Sequence, residues 1–125
     1  MKVVSVHFVL KKGSDYKDLA PVFPDLLKTL LEEIGQMPEE DEILQMYIAL
    51  NMADLEQNRK PEGYNRKGKV RLVFPMEKKE FYLKTYEKYN GLDSLVKKVS
   101  QILDDGGIRY EIPEKSEFST LVRGS

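Results

Sequence analysis

The chain has 125 residues, 41% hydrophobic and 33% charged, with a formal net charge of −1 and no cysteine. That length and apolar content supply one domain around one core, and the missing cysteines exclude disulfide frameworks, thiolate metal sites and cysteine nucleophiles. The near-neutral balance excludes both the global basic footprint of a general nucleic-acid binder and a strongly acidic tail.

After Met1 and Lys2, an apolar run from Val3 to Leu10 is broken only by Ser5 and His7. It is too short to span a bilayer and has no small-residue cleavage site, so no membrane partner and a cytoplasmic location are expected. Within it Val4, Val6, Phe8 and Leu10 alternate with Val3, Ser5, His7 and Val9, and the β-branched content predicts a strand. Lys11 to Ser14 end the strand, and a proline-punctuated loop follows. Pro24 and Asp25 then open a helix with Leu27, Leu30, Leu31 and Ile34 at helical spacing and Gly35 as its stop.

Residues 38–58 fit two periods. Leu44, Met46, Ile48, Leu50 and Met52 make one strand face, whereas Leu44, Ile48, Met52 and Leu55 make a helix face. Helix is preferred because Pro38 suits a first helical position, Glu39 to Glu42 suit the positive end of the dipole, and the run contains no valine. Residues 59–68 read as a loop, and Val70, Leu72 and Phe74 alternate as a strand stopped by Pro75. A helix is expected over 77–89, with Tyr82, Tyr86 and Tyr89 on one stripe that is read as core in preference to an exposed binding surface. Asn90 and Gly91 separate it from a strongly amphipathic helix carrying Leu92, Leu95, Val96, Val99, Ile102 and Leu103, capped by Gly106 and Gly107. Ile108, Tyr110 and Ile112 complete a last strand.

The expected fold is therefore α/β or α+β, in the order strand, helix, helix, strand, helix, helix, strand, with a small three-stranded sheet of parallel neighbours. If 38–58 contains a strand, the alternative is a ferredoxin-like βαββαβ sandwich. Residues 1–115 form the single domain, and 116–125, with a sequence like a vector-derived protease-site scar, form a flexible tail.

Catalysis needs a nucleophile or base with an orienting partner, and the lone histidine, His7, sits mid-strand with no local pattern supplying one. One histidine without cysteines defines no zinc site, and Asp104 to Gly107 are sufficiently explained as a helix end. No enzyme, metal or cofactor is expected. Charge is instead segregated. Residues 38–58 hold six acidic side chains, Glu39, Glu40, Asp41, Glu42, Asp54 and Glu56, and no Lys or Arg, while 59–71 carry net +5. In the basic stretch Arg59, Lys60, Arg66, Lys67 and Lys69 surround Tyr64, a composition that could grip phosphates and stack a base. Residues 67–74 are faintly similar to a strand of the RNA-recognition motif, without its aromatic set. Solvated charge, paired in part with the acidic helix, is the preferred reading of this loop.

The order of elements, with Asn90-Gly91-Leu92-Asp93-Ser94 opening a helix that leads through Gly107 into a final strand, resembles barstar, a ribonuclease inhibitor. The resemblance implies a three-stranded parallel sheet and an acidic second helix that occludes a basic partner. On this chain it points to Glu39, Glu40, Asp41, Glu42 and Tyr47. The expected function is a non-enzymatic protein-binding domain, most sharply a stoichiometric inhibitor or immunity protein (an antitoxin) against a basic toxin or nuclease. The alternative is nucleic-acid binding through residues 59–71.

Overall fold

The computed structural model describes residues 2–66 and 68–113. The chain forms strand β1 (Val3–Leu10), a short helix α1 (Tyr16–Leu19), helices α2 (Phe23–Glu33) and α3 (Asp41–Glu56), strands β2 (Val70–Val73) and β3 (Glu80–Tyr86), helix α4 (Leu92–Asp105) and strand β4 (Tyr110–Glu111). One sheet has the order β2-β3-β1-β4, and every neighbouring pair is antiparallel. The class is α+β.

Two expectations are corrected. Residues 77–89 are not a helix, and the sheet is not three-stranded and parallel, as the element order and the barstar resemblance both implied. Residues 80–86 are a strand that inserts between β2 and β1. Glu77 takes a left-handed φ of +65°, which breaks any helix starting there. Beyond it Phe81, Leu83 and Thr85 are buried, while Tyr82 and Lys84 are half-buried and Tyr86 exposed, a period of two carried by aromatic and β-branched residues. The tyrosine stripe therefore splits: Tyr82 and Tyr86 share the outer sheet face, and Tyr89 lies beyond the strand. With β3 in place, the strand order is that of the ferredoxin-like βαββαβ arrangement. It arises from 80–86, whereas the alternative had placed the extra strand in 38–58, which is helical.

The other elements follow their local chemistry. Val4, Val6, Phe8 and Leu10 of β1 are all buried and face the helices. Helix α2 turns Leu26, Leu27, Leu30 and Leu31 inward and packs on α4, whose Leu95, Val99 and Leu103 have no exposed surface. The chain leaves α2 and α4 at Gly35 and Gly107, with φ of +69° and +70°, the position that glycine favours after a helix. Phe8 stacks on Phe81 at 4.9 Å between centroids, and Phe74 adds a tilted contact to Phe81 at 5.5 Å. Helix α3 starts three residues later than Pro38 would suggest, with Glu40 as N-cap.

The loop before α2, read from sequence as irregular, holds α1. Asp15 caps it, accepting from the Tyr16 N–H at 2.8 Å. The same carboxylate accepts from Lys79 Nζ at 2.9 Å and Asn58 Nδ2 at 3.2 Å, tying the start of β3 and the end of α3 to α1. The Lys79 hydrogen bond, helped by Tyr16 and Asn58 and opposed by desolvation, holds the Asp15 carboxyl below the usual aspartate range. A carboxyl lowered in the folded state stabilises above its unfolded pKa, and that stabilisation disappears as pH falls through the folded value. Asp15→Asn keeps a capping side chain and removes the charge. Urea titrations should show it less stable than wild type at pH 7 by under about 1 kcal/mol, because the pair is solvent-screened. The gap should close below about pH 4. A gap unchanged down to pH 2 would rule out this linkage.

Candidate functional site

Two surfaces carry the chemistry, on opposite sides of the sheet. The first is the solvent face of α3. Its core side consists of Leu44, Ile48, Asn51 and Leu55, all buried. On the other side Ile43, Met46 and Leu50 are 38%, 50% and 62% exposed, with Ala49 and Ala53 exposed beside them. The apolar residues of α3 thus fall on two sides, which is why the sequence fitted a strand period as well as a helical one. Glu39 and Glu40 precede the stripe, and Asp41 and Glu42 occupy the first turn, where the helix dipole favours them. All four are exposed. Among the described residues only Asp54 of the six acidic side chains has an ion-pair partner, Arg59 at 3.0 Å.

Tyr47, the fifth residue of the acidic set, is half-buried and engaged within the molecule. Arg66 lies over its ring at 5.2 Å and donates to its hydroxyl, and Tyr64 meets the ring edge-on at 5.8 Å. The basic loop is therefore folded against α3, with Arg59 on Asp54 and Arg66 on Tyr47. Tyr64 is 8% exposed and pairs with Leu72 through two backbone hydrogen bonds, so its ring is not presented for stacking on a base. Lys60 reaches the carbonyl of Pro61 at 3.4 Å, and Lys69 is exposed. Lys67 lies outside the described residues, as does the C-terminal segment 116–125.

The second surface is the sheet face turned away from the helices. The register pairs Val9 with Glu80, His7 with Tyr82, Ser5 with Lys84 and Val3 with Tyr86, so all eight share this face. His7 Nδ1 lies 2.7 Å from Glu80 Oε2, and His7 Nε2 lies 3.0 Å from Ser5 Oγ. A carboxylate only accepts, so Nδ1 donates to Glu80, and Nε2 is left within hydrogen-bond distance of the serine hydroxyl. Tyr82 stacks on the imidazole at 4.6 Å and 27°. The Glu80 side chain is 9% exposed and that of His7 27%. The strand period alone places His7 on a sheet face, and Ser5, two residues earlier on the same face, is the signal the sequence carries for a contact to it. Glu80 could not be found while 77–89 was read as a helix.

Among the described residues no helix is long and apolar enough to cross a membrane, and no three His, Asp or Glu side chains come together to hold a metal ion. No protein-family model, curated protein or solved structure matches the chain.

Proposed function

We propose that the chain is a stoichiometric protein-binding domain whose partner is a basic protein, with a nuclease or toxin inhibitor as its sharpest form. The observation that carries this reading is the α3 stripe of Ile43, Met46 and Leu50, exposed within a segment that has six acidic residues and no basic one. An apolar centre with a charged rim is the anatomy of a protein interface. The acidic end of that rim, Glu39 to Glu42, selects a positively charged partner and speeds encounter with it. It also argues against a second copy of this chain, since two such faces would bring like charges together.

The test is calorimetric titration against a panel of basic nucleases and basic toxin proteins. A 1:1 complex is expected that weakens with added salt. The triple variant Glu39→Lys, Glu40→Lys, Glu42→Lys should weaken it about tenfold or more. Leu50→Asp should do the same by placing an unpaired charge in the apolar centre, and it should leave the fold intact because Leu50 is already 62% exposed. Binding indifferent to both variants, no binding to any panel member, or a dimer formed through α3 would overturn the proposal.

A further inference from the structure

We propose that Ser5, His7 and Glu80 form an acyl-transfer site on the sheet face turned away from the helices, with small carboxylic esters as its substrate class. A serine hydroxyl is a weak nucleophile until a base takes its proton, and the base must be held in the right tautomer by a third group. The three side chains supply that chain of contacts at 3.0 Å and 2.7 Å. Glu80 is fixed by burial and orients His7; Ser5 and His7 keep access to solvent. They open into a groove of about 350 Å³, a volume suited to a small ligand. Its apolar wall is Val3, Pro75 and Met76, the last 79% exposed, and these would receive the acyl chain. Lys84 stands directly across from Ser5 in the register and lines the same groove, which makes its ammonium the group placed to stabilise a developing oxyanion.

The reaction balances with water as the only co-reactant. Ser5 Oγ bonds to the ester carbonyl carbon while its proton passes to His7 Nε2. The carbon–oxygen bond to the alcohol then breaks, and the departing oxygen takes that proton. Water next attacks the acyl-serine, giving its proton to His7 Nε2; the ester bond to Ser5 breaks, Oγ regains the proton, and a carboxylic acid leaves. Glu80 holds Nδ1–H throughout and stabilises the imidazolium formed in each half. It is a positioning residue. The site is independent of the binding role of α3, on the other side of the sheet.

The full chain is incubated with a fluorophosphonate, and separately with 4-nitrophenyl acetate. Mass spectrometry is expected to find one phosphonyl group, on Ser5, and ester turnover should fall about 100-fold in Ser5→Ala and in His7→Gln. Glu80→Gln can donate to Nδ1 and so reverse the tautomer; it should lower kcat with little change in KM, a split that general loosening of the sheet would not give. Because the adduct is mapped on the wild-type chain, poor folding of a variant does not obscure the result. No adduct on Ser5, or labelling of Ser5 at the same rate in folded His7→Gln, would overturn the proposal.

Discussion

Phe81→Ala is expected to lower the unfolding free energy by about 3–5 kcal/mol, while Tyr86→Ala, five positions along the same strand, should change it by under about 0.5 kcal/mol. The contrast follows from the strand geometry of 80–86. Phe81 has no exposed surface and sits between Phe8 and Phe74 in the core, so removing its ring leaves a cavity lined by two other aromatic rings. Tyr86 is 44% exposed on the opposite sheet face. In a helical 77–89 the ranking would invert, because Tyr82, Tyr86 and Tyr89 would share the inward stripe and Tyr86 would be a core residue. Urea unfolding of the two variants therefore distinguishes the two structures of this segment. Equal losses, or a larger loss at Tyr86, would contradict the observed register.

That segment marks the boundary of what the sequence made legible. Strand β1 and helices α2 and α4 have apolar residues at one period only, so their type and inward faces could be read directly. Helix α3 was decided by composition, since its side chains fit both periods. The face exposing Ile43, Met46 and Leu50 could not be read, because nothing local shows which side of α3 its neighbours cover. In 77–89 the local signals conflicted. Glu77 to Glu80 and the spacing of Tyr82, Tyr86 and Tyr89 suit a helix; the alternation of Phe81, Leu83 and Thr85 suits a strand. Pairing with β1 on one side and β2 on the other resolved the conflict, and such pairing is a long-range fact. The sheet-face site inherits this limit: Ser5 and His7 are two residues apart, whereas Glu80 is 73 residues from His7 and meets it only through the β1–β3 register.

Gly63→Ala is the second large effect expected, a loss of about 2–4 kcal/mol made up of backbone strain and a steric clash. Gly63 has a φ of +75°, where an L side chain is strained, and a methyl group there would lie 2.4 Å from the carbonyl oxygen of Leu72. No rotamer change relieves that contact, because the opposing atom is backbone. The loop would have to lift away from β2, and its anchors resist this. Asn51, buried on α3, accepts from the Gly63 N–H at 2.7 Å and donates from Nδ2 to the Gly63 carbonyl at 3.3 Å and the Tyr47 carbonyl at 2.8 Å. The next residue, Tyr64, exchanges backbone hydrogen bonds of 2.8 and 2.9 Å with Leu72. Lifting the loop sacrifices both anchors together, so Asn51→Ala and Gly63→Ala should be strongly non-additive in a double-mutant cycle. Hydrogen exchange at the Tyr64 and Leu72 amides should accelerate in either variant. The same clamp keeps Tyr64 and Arg66 against Tyr47, which fixes the basic loop beside the acidic helix and leaves Glu39 to Glu42 without a cationic partner among the described residues. A cost below about 1 kcal/mol, or additive behaviour in the cycle, would show that the loop is not held by these contacts.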